Sequence, residues 1–105
     1  MQVLKPLRVV ARINRGINPY LTIRKRAFNK ILRNFGRKVV VNLKQIGGGE
    51  VREVKNVEAE LYIAKSRKVV KGKQYNKYCI HVPAKDLKPL YKFKYILVEV
   101  IDSAR

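Results

Sequence analysis

Tryptophan is absent from this sequence of 105 residues, and cysteine, histidine and methionine occur once each, as Cys79, His81 and Met1. A lone thiol excludes an internal disulfide framework and fits an intracellular, cytoplasmic protein. One cysteine and one histidine also fall short of the roughly four ligands of a structural zinc site. Cys79 and His81 lie two residues apart on one face of an expected strand, but a nucleophile–base pair needs an orienting third group and an oxyanion donor. Both are therefore expected to pack or to face solvent. Glu58 and Glu60 share a strand face as well, yet nothing else completes a nuclease-like metal site, and the bland reading is that they neutralise nearby Lys and Arg. Gly47-Gly48-Gly49 lacks the Lys-Ser/Thr of a phosphate-binding P-loop and reads as a loop or hairpin tip. No metal, cofactor or catalytic activity is expected. No apolar run approaches the ~20 residues that span a bilayer. Met1-Gln2-Val3-Leu4-Lys5-Pro6 carries no apolar signal-peptide core, so no membrane partner is expected.

Negative charge is the scarcest commodity. Asp and Glu number 7 against 25 Lys and Arg, a formal net charge of +18. Residues 1–49 contain no acid at all, four of the seven acids (Glu50, Glu53, Glu58, Glu60) crowd together, and residues 61–85 are again acid-free. Thermophile surfaces are rich in Lys but balance it with Glu in ion-pair networks. Richness in Ile, Val, Lys, Arg and Tyr fits a thermophile, but here most cations have no acid to meet. Self-repulsion then opposes folding, and a polyanion relieves it. Nucleic acid is the polyanion that releases counterions when Lys and Arg take their place on its phosphates.

Apolar residues make up 47% of the chain, enough for one packed core, so one basic nucleic-acid-binding domain over 1–105 is expected. Leu7, Val9, Ala11 and Ile13 alternate with polar residues, the pattern of a half-buried strand. After a turn at Gly16 and Asn18-Pro19, Tyr20–Ile23 forms a second short strand. Over residues 24–35 the period changes: Ala27, Phe28, Ile31, Leu32 and Phe35 recur at helical spacing. Thr22 is a candidate cap for that helix, and Gly36 suits its left-handed end. Lys38–Leu43 and the alternating Val57–Ala64 read as strands. Residues 65–77 read as a basic hairpin with Gly72 near its tip. A strand at Tyr78–Val82, a short helix begun by Pro83 and stopped by Pro89, and a closing strand at Tyr95–Ile101 follow. The fold class is α+β and mostly β: a small barrel-like or two-layer domain with one amphipathic helix.

Two stretches share one plan of short strand, helix, turn and Val-rich strand: Tyr20–Leu43 and Tyr78–Ile101. Ile23 matches Val82, Phe28 matches Leu87, and Ile31 matches Leu90, while Val39-Val40-Val41 match Ile96-Leu97-Val98. An apolar strand precedes each unit, so two β-α-β half-repeats are expected. The second unit, Tyr78-Cys79-Ile80-His81-Val82-Pro83-Ala84-Lys85-Asp86-Leu87 followed by Tyr95–Val100, resembles the swapped-hairpin DNA-binding domains of the AbrB and SpoVT type. It keeps Pro83, Lys85 and Leu87 but has Lys94-Tyr95 near the place of that family's Gly-Asp turn. The first unit keeps Gly36 but has Arg37 for Asp and Arg24 for Pro. The resemblance implies a pseudo-symmetric small barrel made by one chain, and DNA binding.

Three basic clusters are candidate contact surfaces: Arg24, Lys25, Arg26, Lys30 and Arg33 on the helix; Arg37 and Lys38 after it; and Lys65, Arg67, Lys68, Lys71, Lys73 and Lys77 on the hairpin, with Tyr75 available to stack on a base. Arg8, Arg12 and Arg15 along the first strand are the alternative surface. RNA is favoured over DNA as partner. A small ribosomal protein contacting rRNA explains cations on nearly every element; an AbrB-like regulator or a chromatin protein explains the repeat. No motif of stacked aromatics for reading single-strand sequence is present. The sequence leaves the oligomeric state open.

Overall fold

The computed structural model describes residues 5–47 and 52–104; Gly48 and Gly49 of the expected glycine loop lie outside them, as does the side chain of Lys68. Among the described residues six strands form one antiparallel sheet: β1 (Leu7–Asn14), β2 (Tyr20–Ile23), β3 (Lys38–Gln45), β4 (Glu53–Val70), β5 (Lys73–His81) and β6 (Tyr95–Ser103). Their order, β1-β2-β5-β4-β3-β6, returns from β6 to β1 and closes a barrel-like ring. Among the described residues closure leaves no unpaired sheet edge around the ring. The alternation legible in β1 is the alternation observed: Ala11 and Ile13 are buried, while Arg8, Val10 and Arg12 are exposed.

The ring order does not change when the first unit is exchanged for the second. β2 pairs with β5 and β3 pairs with β6, each strand meeting its own counterpart, and the β1–β6 pairing is equivalent to β4–β3. Within β2–β5 the register puts Leu21 opposite Ile80. These two residues are counterparts under the same spacing that aligns Ile23 with Val82 and Phe28 with Leu87, so an approximate two-fold passes between them. Both are fully buried. Around them Leu61, Val39, Val41, Leu43, Ile96, Val98 and Val100 fill the interior, each contributing about 1.5–3 kcal/mol relative to an exposed position.

Helix α1 (Lys25–Phe35) packs Phe28, Ile31 and Phe35 inward. The Phe28 ring lies 5.2 Å from that of Tyr78 on β5. In the second unit α2 (Ala84–Leu87) and a 3₁₀ turn (Lys88–Leu90) hold the same places, burying Leu87 and Leu90. Three local expectations are corrected. Thr22 does not cap α1, because β2 holds it in the sheet opposite Cys79; the N-cap is Arg24, with no side-chain bond. Leu32 is 42% exposed rather than in the core, because the buried stripe of this helix runs through positions 28, 31 and 35 and leaves Leu32 on its flank. Pro83 stands at the N-cap of α2, one place before the first helical residue. Gly36 has φ of 92° and donates its N–H to the Leu32 carbonyl at 3.0 Å, ending α1 in a conformation that favours glycine.

β4 and β5 outrun the ring. β3 pairs with β4 only between Glu53 and Glu60, and β2 pairs with β5 only at Tyr78–Ile80. Beyond that, β4 and β5 pair only with each other out to Val70 and Lys73, forming a projecting two-stranded arm. Lys71 and Gly72, both with positive φ, make the two-residue turn at its tip, the turn whose twist matches that of the strands. Part-way along the arm Ser66, Arg67 and Lys68 stand opposite the single residue Tyr75. Such a bulge bends the strand and re-aims its side chains.

Candidate nucleic-acid interface

The acids are not spread around the ring. Glu99 on β6 is only 7% exposed. Arg8 Nε donates to it at 2.9 Å, Asn42 Nδ2 donates at 3.1 Å, and Lys44 Nζ lies 3.7 Å away. The bonds from Arg8 and Asn42 hold its carboxyl below the usual carboxylate range against the opposing effect of burial. Lys44 also reaches Glu53 at 3.5 Å, and Arg37 reaches Glu60 at 3.2 Å. Among the described residues these ion pairs engage Arg8, Arg37 and Lys44, and all of their acids lie on β4 and β6. Of the expected contact residues, Arg37 is thus already paired. Lys38 borders a shallow hollow it shares with Glu58, Glu60 and His81.

A different composition covers the outer side of β1 and β2 and the base of the arm. One cleft of about 500 Å³ is lined by Arg12 and Asn14 of β1, Thr22 of β2, and Arg67, Asn76 and Lys77 of the arm. Lys77 Nζ donates to the Tyr20 hydroxyl at 3.2 Å and lies 5.8 Å from the centre of that ring. Asn14 Nδ2 donates to Thr22 Oγ1 at 3.1 Å. A second cleft of about 760 Å³ opens between β1 and the start of α1; Val9, Val10, Ile23, Ala27 and Tyr95 supply its apolar walls, and Arg8, Arg12 and Arg24 its charge. A third, of about 470 Å³, holds Arg12, Arg15, Tyr20 and Lys94. Arg12 borders all three. Among the described residues no carboxylate lines any of them.

The sequence-derived clusters therefore divide. The ring brings Arg24, Arg67 and Lys77 onto one surface, with Arg12 between them. Lys25, Arg26, Lys30 and Arg33 are exposed on the outward side of α1, Lys30 facing a hollow beside Lys5 and Leu7. Lys65, Lys71 and Lys73 are exposed along the arm, and Tyr75 is 53% exposed there. The side chain of Lys68 lies outside the described residues. The centrality of Arg12 had one local signal, its place on the polar side of β1. Lys94 had none: it comes to the site because its carbonyl accepts the Ile13 N–H at 2.9 Å.

No family model, curated protein or solved structure matches the chain. The site's chemistry must be read from its residues. Cys79 is fully buried beside Tyr62, and burial pushes its thiol pKa up, opposed by the Tyr62 hydroxyl and the Lys77 charge. Burial, with the neighbouring Cys79, pushes the Tyr62 phenol up to about 12. A buried, protonated thiol is a poor nucleophile. His81 is exposed and stands opposite Glu60 in the sheet. Among the described residues no group of three or more His, Cys, Asp or Glu side chains could hold a metal ion, and no helix is long and apolar enough to cross a membrane. The arrangement on β1, β2 and the arm offers guanidinium and ammonium donors, neutral amide and hydroxyl partners, and apolar walls.

Proposed function

We propose that this protein is a non-enzymatic RNA-binding protein that grips the sugar–phosphate backbone, as a small ribosomal protein does on rRNA. One observation carries the reading: cations from β1, the start of α1 and the β4–β5 arm converge around Arg12 on a surface that no carboxylate lines among the described residues, while Glu53 and Glu60 pair with Lys44 and Arg37 and Glu99 is held by Arg8 and Lys44. Two guanidinium groups and an ammonium sharing one cleft repel each other, and phosphates relieve that repulsion. Further exposed cations on α1 and along the arm favour RNA, which can surround a protein on several sides, over a partner that meets one face.

The internal two-fold favours a second reading, DNA binding in the manner of the swapped-hairpin domains that the second unit resembles. The deciding experiment measures binding to RNA and DNA strands of one sequence across a salt series. Backbone binding predicts that log K falls linearly with log salt, and that each cation removed reduces the slope by roughly one unit. Tighter binding to the RNA strand supports the first reading, and tighter binding to DNA the second. An affinity for both that stays flat with salt rejects backbone binding altogether.

A further inference from the structure

The two larger clefts differ in a way that phosphate binding alone does not use. The one between β1–β2 and the arm is polar and cationic, with Arg12, Arg67 and Lys77 set among Asn14, Thr22 and Asn76. Its neighbour shares the wall formed by Arg12, Thr22 and Ile23 but adds Val10, Ala27 and Tyr95. Val10 is 55% exposed and Tyr95 48% exposed, so apolar surface faces solvent here in the middle of a basic surface. Arg8, on the far rim, is engaged by Glu99, while Arg12 and Arg24 flank that apolar patch and Lys94 Nζ lies 5.7 Å from the centre of one face of the Tyr95 ring. The ring forms this pairing directly: Arg12 is opposite Thr22 on one side and opposite Tyr95 on the other.

We infer that these adjoining clefts bind an unpaired stretch of nucleic acid, one phosphate held by Arg12, Arg67 and Lys77 and a neighbouring base laid against Val10, Ala27 and Tyr95. An unpaired strand presents anionic and flat apolar groups in alternation, which matches the alternation of the clefts. In a duplex the bases are stacked inside, so its surface would meet the cations and leave the apolar wall unused. Base stacking on an aromatic ring tolerates any sequence, because every base has a π face. The inference rests on the backbone-binding reading above and adds to it the strandedness of the ligand and the place where it lies.

The test compares an oligouridine with an RNA duplex of equal charge, by fluorescence anisotropy across one shared salt series, for the parent, Tyr95→Ala and Arg12→Gln. Circular dichroism and thermal unfolding check that each variant is folded, and Tyr95→Leu stands in if Tyr95→Ala is not. The parent is expected to prefer the oligouridine. Tyr95→Ala is expected to weaken oligouridine binding by roughly tenfold, in the range of one base–aromatic contact, and to leave duplex binding unchanged. Arg12→Gln is expected to weaken the oligouridine and to reduce its salt slope by about one unit. Equal or tighter binding of the duplex, or an equal effect of Tyr95→Ala on both ligands, overturns the inference while leaving salt-dependent backbone binding intact. Competition by polyglutamate as effective as that by oligouridine also overturns it, since any polyanion would then serve. If neither RNA binds in a salt-dependent way, the backbone reading fails and this inference with it.

Discussion

Replacing Glu99 by Gln removes one negative charge from the most enclosed ionic cluster of the protein. In the parent, the carboxylate accepts from Arg8 Nε at 2.9 Å and from Asn42 Nδ2 at 3.1 Å, with Lys44 at 3.7 Å. A glutamine turns an N–H toward one of these donors and leaves the other contacts uncharged. Hydrogen bonds to a charged group contribute about 1.5–3 kcal/mol. Arg8 has a side chain 66% exposed, so solvent screens its share, and about 2 kcal/mol at neutral pH is the reasonable total. At roughly 4–8 °C per kcal/mol, that lowers Tm by about 8–16 °C. The sign of the pH dependence follows from the direction of the shift. The folded-state pKa of Glu99 lies below its unfolded value, which is about 4.3. Its contribution is therefore fully present above that unfolded value and is lost as the pH falls through the folded one. Protonated Glu99 is close to a glutamine in shape and charge, so parent and variant should converge in acid. Urea unfolding followed by circular dichroism at pH 7, 5, 4 and 3 measures the gap. A gap that keeps its size from pH 7 to pH 3, or one below about 0.5 kcal/mol throughout, refutes the reasoning, since it would fall within the range of an ordinary surface substitution.

Three further outcomes are expected. Leu21→Ala, at the centre of the approximate two-fold, should cost about 2–5 kcal/mol in denaturant unfolding as a large-to-small change in a fully buried site; a cost below 1 kcal/mol would mean that the Leu21–Ile80 pair is not in the core. Gly72→Ala places a Cβ at φ of 74°, a cost of about 1 kcal/mol. Because along the arm β4 and β5 form strand pairings only with each other among the described residues, hydrogen exchange should quicken along residues 65–77 while Tm stays within a degree or two; a large drop in Tm would tie the arm to the ring. Cys79 should resist a thiol-alkylating reagent at pH 8 in the native protein and react at once in denaturant, since it is buried and its pKa is raised; rapid native labelling would contradict the burial.

The elements that were legible in the sequence are those with one face in the core. β1 alternates because Ala11 and Ile13 go inward and Arg8 and Arg12 outward, and α1 shows its period through Phe28, Ile31 and Phe35. The half-repeat was legible for the same reason, as matched core positions: Phe28 with Leu87 and Ile31 with Leu90 are all buried. Thr22 misled because a short polar residue before a helix looks like a cap, whereas strand pairing had already claimed it. Leu32 misled because a five-residue apolar stripe is wider than the surface α1 buries. The basic clusters were visible as charge, but their grouping was not. Arg12, Arg67 and Lys77 meet only because β1 neighbours β2 and β2 neighbours β5, and no local spacing encodes those long-range pairings. The pairing of Arg37 with Glu60 has the same origin in the β3–β4 register.

Nucleic acid is expected to lie on β1, β2 and the arm rather than on the β4–β3–β6 side that carries Glu58, Glu60 and Asp102. Amide chemical-shift perturbation during titration with a short oligouridine tests it most directly. The shifts should concentrate at Arg12, Asn14, Thr22, Arg24, Arg67 and Lys77 and leave Glu58, Glu60 and Asp102 unmoved. Shifts concentrated around Lys38, Glu60 and His81, with those at Arg12 and Thr22 unchanged, would contradict it.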